Sequence, residues 1–392
     1  RIARVKALPG ITSDPRSLAG EHAARRGRFP TLVCLLASLS LPAAATDYYV
    51  ATTGDDASNG LSWASAKATI QAGVNAATTA GDTVWVSNGT YALAAQVSVS
   101  NAITVRSANG ADATVVNGGG AVRGFSLSAA ATVAGFTITN GAASQGAGVY
   151  MTAGTVRNCR IVKGVASAEG GGIFMTTLGC LAEYCVITDN DGGALGGGIA
   201  METQGNASHC VILRNVAGTW GGGGVYCRSG GTLRNCLIAG NQTTSLNAPM
   251  SAGIFTDHNS FLIENCTIVR NNEGGVYNRG GGQLKNCIIY FNEPINHNGA
   301  PPMDYSCTTP LPLTGSGNTD MNPEVADPGS GSGPGAVLGD YRLLLGSPGL
   351  DAGTALSRMT RTRPRKRRRG DGPGRQEDRA AHDPLRHLRA DR

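Results

Sequence analysis

Apolar positions recur in short segments through the middle of the chain. Each copy begins with a glycine run, an aliphatic residue and usually an aromatic residue, and ends on an apolar-x-Asn-Cys-x-Ile segment. The copies are marked by Cys159, Cys185, Cys210, Cys236, Cys266 and Cys287. These cysteines are spaced by 26, 25, 26, 30 and 21 residues, and a repeat of that length is typical of a solenoid.

The repeat has the periodicity of strands rather than helices. Its apolar residues alternate with a period of two, which is the strand pattern, and no helical periodicity appears. We therefore predict an all-β fold, a parallel β-helix with about three short strands per turn. Leucine-rich repeats share the period, but the leucine-dominated pattern that they require is missing.

Two columns of asparagine belong to this predicted coil. Leu233 and Cys236 are three residues apart and both are expected to point inward, so a corner must lie between them. Asn235 fits that corner because asparagine tolerates the left-handed conformation. A second column, expected to hydrogen-bond from turn to turn, consists of Asn190, Asn215, Asn241, Asn271 and Asn292.

The cysteine column is expected to pack beside a ladder of isoleucines. Neighbouring turns lie about 4.8 Å apart, whereas a disulfide prefers β-carbons about 3.8 Å apart. Buried cysteine is also a good small hydrophobic residue. We favour packing of free thiols over disulfides or a metal site. The six isoleucines are Ile161, Ile187, Ile212, Ile238, Ile268 and Ile289.

The N-terminal segment resembles a processed leader. Arg25, Arg26 and Arg28 precede the apolar stretch 29–41, and Ala43-Ala44-Ala45 follows. This order predicts a leader plus secretory signal peptide over 1–45, with cleavage near Ala45. The mature protein would be secreted or held at the cell surface, with no transmembrane segment left after signal removal.

The remaining boundaries follow from composition. Residues 46–80 are expected to hold an N-terminal strand and a capping helix, 81–300 the β-helix repeats and 301–354 a closing segment. Residues 355–392 form a basic tail, disordered by composition. An electrostatic tail, a nuclear-type signal and out-of-frame translation are the alternatives for that tail, and we favour the last because the composition changes abruptly after residue 353.

Charge changes the picture of possible partners. The net charge is +6, but residues 1–28 contribute +5 and residues 355–392 contribute +8, which leaves −7 on the body. Such a body argues against nucleic acid as a partner, because phosphate binding needs clustered Lys and Arg. Glycine is about twice as common as usual, with 57 of 392 residues. We expect a monomer.

The opening and closing motifs resemble one known group. The run YYVATTGDDASNGLSWASAKATIQAGVNAATTAGDTVWVSNGTY, the GGGIF and NCxI turns, and YRLL with SPGLDAG are similar to those of secreted bacterial right-handed parallel β-helix proteins of the pectin-lyase-like superfamily. The resemblance covers residues 47–353 and implies a right-handed coil. It implies activity only loosely, because the members include lyases, hydrolases, adhesins and uncharacterised surface proteins.

Pectate lyases of this fold place clustered carboxylates for calcium, and an Arg or Lys base, on the outer face of one sheet. The corresponding outward column here contains Glu202, Arg228 and Asp257, and its alternating signs favour surface ion pairs over a calcium site. Asp189 and Asp191 are the remaining candidate calcium ligands, although Asp-Asn-Asp is also an ordinary polar turn. Ca²⁺ is the only cofactor that the sequence suggests.

An aromatic column is the stronger functional feature. We expect an exposed stripe that contacts sugar rings; the alternative is that the rings stack on each other under glycine-rich loops. The function predicted is contact with polysaccharide or cell-surface glycan, and the alternatives are a polysaccharide lyase or hydrolase and an adhesin-like structural protein. The stripe comprises Tyr150, Phe174, Tyr226, Phe255 and Tyr277, with Trp220 in the preceding loop.

Overall fold

The computed structural model is a parallel β-solenoid built from three long sheets. It describes residues 44–244, 251–258, 260–299 and 302–348. Residues 1–43 of the predicted leader and signal peptide, and the whole of the predicted basic tail, lie outside these described residues. Within these residues the predicted all-β class is confirmed, and each turn of the coil contributes one strand to each of the three sheets in succession.

The strands of each sheet stack along the coil axis, and all pairings within the three sheets are parallel. Sheet A contains Asp47–Val50, Thr83–Val86, Thr104–Ser107, Thr132–Ala134, Gly154–Arg157, Cys180–Glu183, Gly205–Ser208, Gly231–Arg234, Phe261–Glu264, Gln283–Lys285 and Met303–Asp304. Sheet B contains Gly89–Ala92, Thr114–Asn117, Thr137–Thr139, Arg160–Val162, Val186–Thr188, Val211–Leu213, Leu237–Ala239, Thr267–Val269, Ile288–Tyr290 and Cys307–Thr308. Sheet C contains Val97–Val99, Phe125–Leu127, Val149–Met151, Ile173–Met175, Ile199–Met201, Val225–Cys227, Ile254–Thr256, Val276–Asn278 and His297–Asn298.

Short elements complete the fold. The segments that lead from sheet B to sheet C form projecting arms, which pair as Ala142–Gln145 with Val165–Glu169 and as Val216–Ala217 with Gln242–Thr243. Single-turn 3₁₀ helices lie at Trp63–Ser65 and Gly333–Gly335, and Val325–Asp327 pairs antiparallel with Asp340–Leu343.

The predicted capping helix is confirmed as Ile70–Ala76. The side chain of Thr69 caps it by accepting a hydrogen bond of 3.1 Å from the Ala72 amide. Ile70 and Val74 are buried, so the helix covers the open first turn of the core. A β-carbon on Gly73 would lie 2.5 Å from Val50 Cγ2, which shows how closely the helix rests on the first strand.

The predicted corner between sheets A and B is confirmed. The residue before each of the six cysteines has a positive φ between 51° and 55°. Asparagine stands at four of these positions, and Tyr184 and His209 stand at the other two. Among residues with a side chain, asparagine adopts this left-handed conformation with the least strain.

The second asparagine column forms a buried hydrogen-bonded ladder, as predicted. The Asn190 Nδ2 donates to Asn215 Oδ1 at 2.9 Å, and the same contact repeats at 3.0, 2.9 and 2.9 Å down to Asn292. Each Oδ1 also accepts the backbone amide of the asparagine one turn earlier. The ladder thereby satisfies polar groups that the tight turn from sheet B to its arm buries.

The interior columns pack as expected. The six isoleucines pair in register and are fully buried. All nine cysteines in the described part of the chain are free and buried, which agrees with packing rather than disulfides. Each thiol of the repeat column also lies within hydrogen-bonding distance of the carbonyl two residues before it, as in Cys236 Sγ to Arg234 O at 3.2 Å.

The closing segment lies across the outer face of sheet B. Leu338 and Tyr341 pack against the outward side chains of Val211, Leu213 and Val269. Gly333 N donates to Gly240 O at 2.7 Å. The cover explains why sheet B has apolar residues on its outer face, where an exposed sheet would alternate with polar ones.

Candidate functional site

The predicted aromatic stripe forms a row on the outer face of sheet C, and most of its rings are buried. Its members align in register from Tyr150 to Tyr277, with Ala200 in the third position. Ring centroids are 5.6 Å apart for Tyr150 and Phe174, and Phe255 lies 5.5 Å from both Tyr226 and Tyr277.

The expectation of an exposed binding stripe is wrong for three of these rings. Phe174, Tyr226 and Phe255 are only 2–3% exposed, while Tyr150 and Tyr277 are half-buried. The alternative, in which the rings stack on one another beneath the glycine-rich loops, is confirmed. The row is therefore a second small core outside the main one.

The arms cover the row because glycine lets them approach it. Leu195 packs into the row beside Ala200, where a ring is missing. Gly222 has a φ of 68°, and a β-carbon there would lie 2.7 Å from Val225 O and 3.0 Å from Tyr226 Cβ. Only glycine fits such a close approach at a positive φ.

A cluster of charged side chains borders this row at the edge of sheet C, and Arg228 is its centre. The Nη2 of Arg228 lies 2.5 Å from Glu169 Oε1, and its Nε lies 2.7 Å from Glu202 Oε2. The second contact is an ion pair without an aligned hydrogen bond, because the Arg228 N–H does not point at the carboxylate. The guanidinium also lies 5.6 Å from the centre of the Tyr226 ring.

These neighbours decide the protonation states in the cluster. Burial lowers the pKa of Arg228, but Tyr226, Glu169 and Glu202 raise it by more, so the guanidinium stays charged. Burial raises the pKa of Tyr226 well above its ordinary value of 10.0, with Asp257 adding to the rise. The phenol therefore remains protonated, and its O–H donates to Asp257 Oδ2 at 3.3 Å.

The predicted charged column alternates in sign and its charges form ion pairs, as expected. Arg228 lies in the turn between Glu202 and Asp257; it pairs with Glu202, and Asp257 pairs with Arg279 at 3.0 Å. Arg228 also contacts Glu169, which the sequence did not single out because it lies on an arm of variable length. The neighbouring column behaves alike, with Arg157 paired to Glu183 at 3.8 Å and Arg234 to Glu264 at 3.1 Å.

The two candidate calcium ligands do not fit a metal site. Asp189 accepts hydrogen bonds from Arg214 Nε at 3.0 Å and Arg214 Nη2 at 2.9 Å, so both its oxygens are engaged. Asp191 Oδ1 accepts from the Gly193 amide at 2.9 Å. In the part of the chain that the structure describes, no three His, Cys, Asp or Glu side chains converge to hold an ion.

Trp220 remains accessible beside the covered row. It lies on an arm, its ring is about half exposed (52%), and its amide donates to Ala194 O at 3.1 Å. Two residues later Gly222 rests against Tyr226. Of the predicted site residues on the sheet C side, Trp220 is thus the most exposed, and the side chains of Glu202, Arg228 and Asp257 are partly exposed.

The geometry of the coil agrees with comparisons to known proteins. The family model described as the right handed beta helix region matches residues 57–293, and the chain belongs to that family. The coil is accordingly a right-handed parallel β-helix. No relative is found among curated proteins.

Two solved structures are similar to the chain. A crystal structure of pectate lyase Pel9A has a TM-score of 0.55 and 15% identity, covering 78% of this chain and 91% of that one. ORF18 of Geobacillus virus E2 has a TM-score of 0.40 and 14% identity, covering 65% of this chain and 58% of that one. The first likeness shows a shared fold. Among the described residues, none of the helices has the length and apolar character needed to cross a bilayer.

Proposed function

We propose that this β-helix binds polysaccharide outside the cell, on the sheet C side of the coil, where Trp220 lies on an arm and the charged cluster lies at the ends of the strands. The observation that supports it most is that Trp220 is half exposed and that Glu202, Arg228 and Asp257 are partly exposed. An aromatic face stacks on the apolar face of a sugar, and fixed ionic groups hydrogen-bond to its hydroxyls. An extracellular location rests on the signal-like sequence before residue 46.

The stiffness of this surface favours an extended ligand. Glu169 and Glu202 hold Arg228, and Arg279 holds Asp257, so the polar groups are fixed before binding. Pre-ordering lowers the entropic cost of binding. Consecutive turns repeat at about 4.8 Å, which gives a linear polymer a periodic row to lie along.

A lyase or hydrolase acting on polysaccharide is the second candidate, favoured by the fold shared with pectate lyase Pel9A. Asp257 would be its best acid–base residue, since it is partly exposed and orders both Arg279 and Tyr226. An adhesin-like structural role is the outcome if neither binding nor turnover occurs.

A glycan array combined with turnover assays tests these candidates on the full chain. We expect retention of at least one polysaccharide, and Trp220→Ala should weaken it about tenfold, the loss of one stacked ring. Trp63→Ala, near the N-terminal end of the coil and also exposed, is the matched control. Ultraviolet absorbance from unsaturated products, with and without calcium, would support the lyase. Binding that is equal in the Trp220 variant and the control would overturn the proposed face.

A further inference from the structure

A shallow groove on sheet A lies apart from the charged cluster. Its volume is about 270 Å³, and it is lined by residues from three consecutive turns. Leu178 and Leu181 form one wall, and the polar wall and floor come from Asn206, Ser208, Thr232 and Arg234. None of these residues belongs to the face proposed above.

The groove lies where short side chains follow longer ones in two outward columns. In the charged column of sheet A, Ser208 stands between the longer Glu183 and Arg234. In the next outward column Leu181 is followed by Asn206 and then by the shorter Thr232. Ser208 and Thr232 thereby leave a depression beside the longer side chains.

The polar groups of the groove are oriented for a ligand. Asn206 Nδ2 donates to Leu178 O at 3.0 Å, so its amide is held and its Oδ1 faces away from that contact. Asn235 Nδ2 lies 3.1 Å from His209 Nε2, which must therefore be the accepting nitrogen. His209 Nδ1–H then donates to Ser208 Oγ at 2.8 Å, and the Ser208 hydroxyl proton is left to donate elsewhere.

The groove is electrically balanced. Arg234 is its only charged lining residue, and Glu264 neutralises it through a contact of 3.1 Å. A charged ligand would therefore gain little electrostatic attraction in the groove. A neutral polyol would meet hydrogen-bond donors and acceptors on the polar wall. The two leucines opposite suit the C–H face of a pyranose ring.

We propose that this groove binds one neutral hexopyranose unit of a glycan chain. The ring lies with its C–H face on Leu178 and Leu181, and its hydroxyls reach Asn206 and Ser208. The site is independent of the proposed polysaccharide face on sheet C. Because the groove carries no net charge, its affinity for a neutral sugar should change little with salt.

Amide chemical shifts of the full chain, titrated with β-1,4-linked glucose, mannose and galactose hexasaccharides, test the groove. At least one hexasaccharide should shift the amides of Asn206, Ser208 and Thr232. Thr232→Phe fills the groove and should weaken that binding about tenfold or more.

Thr155→Phe is the matched control, because Thr155 has the same outward position two turns before Asn206 and does not line the groove. Trp220→Ala should leave the groove shifts unchanged, which separates this site from the sheet C face. Absence of shifts with all three neutral hexasaccharides, or equal weakening in both phenylalanine variants, would overturn the proposal.

Discussion

Arg228 reaches Glu169 across two turns of the coil, with a contact of 2.5 Å between its Nη2 and the Oε1 of the carboxylate. The intervening turn carries Ala200 in the aromatic row, so no ring stands in that position. The interruption of the aromatic stack thus coincides with an ion pair that ties an arm to the end of a sheet C strand.

This link should matter for stability because Glu169 is mostly buried, with 12% of its side chain exposed. Arg228→Met leaves that carboxylate without its cation, and we expect the free energy of unfolding to fall by about 1–3 kcal/mol. The double variant with Glu169→Gln should regain much of the loss, because the stranded charge is gone. Urea unfolding measures both.

Arg157→Met is the control for this ion pair. Its partner Glu183 is 3.8 Å away and Arg157 is nearly half exposed, so the change should be at most about 0.5 kcal/mol. Equal losses in the two arginine variants would contradict the special role of Arg228.

The buried asparagine ladder should be sensitive to truncation. Asn215→Ala removes the Oδ1 that accepts from both Asn190 N and Asn190 Nδ2, at 3.1 and 2.9 Å. The unpaired buried groups should lower the free energy of unfolding by about 2–4 kcal/mol. Thermal and urea unfolding provide the measurement.

Asn235→Gly is the matched variant in the exposed asparagine column. Glycine accepts its φ of 54° without strain, so only side-chain contacts at the surface are lost. We expect less than about 1 kcal/mol. A loss as large as that of Asn215→Ala would show that burial of the ladder is not what makes it stabilising.

The glycine column before sheet C should reject any side chain. A β-carbon on Gly198 would lie 2.6 Å from Gly224 O on the next turn, and that backbone cannot move without shifting the stack. Gly198→Ala is expected to destabilise by about 3 kcal/mol or more. Gly335→Ala, where nothing lies within 4 Å, should be neutral when unfolded in parallel.

The buried thiols make stability depend on alkaline pH. Burial raises the pKa of Cys227 from 9.0 to about 12. The unfolded chain therefore loses this proton before the folded chain does, and the stabilisation present below pH 9 is lost as the pH rises towards 12. Unfolding free energies of the wild type and Cys227→Ala should converge over that range, by about 1.4 kcal/mol per pH unit. Parallel curves would contradict the raised pKa.

The sequence was sufficient for the coil but not for its covering layers. The Asn235 corner could be predicted because asparagine is one of the few residues that tolerate the left-handed conformation. The ladder that begins at Asn190 could be predicted because stacked asparagine side chains hydrogen-bond from turn to turn. A second left-handed corner just after sheet B could not be predicted, because its positions include Lys163, Asp189 and Phe291, which share no preference for a positive φ.

The prediction that the aromatic row is exposed was wrong for a different physical reason. Alternation along Val225, Tyr226 and Cys227 correctly places the tyrosine outside the coil. It says nothing about whether another segment covers that outside face. The arms pack on the aromatic row through residues that lie outside the strands of sheet C, such as Leu195. The ion pair between Glu169 and Arg228 likewise joins an arm to a residue outside those strands.

The central claim is that polysaccharide lies against Trp220 at the edge of sheet C. The most direct test is the emission of Trp220 in a chain with Trp63→Phe and Trp85→Phe, the other two tryptophans. Titration with the polysaccharide retained on the array should shift the Trp220 emission to shorter wavelength and saturate at the same concentration as binding. Unchanged emission at saturating polysaccharide, or retention of no glycan at all, would contradict the account.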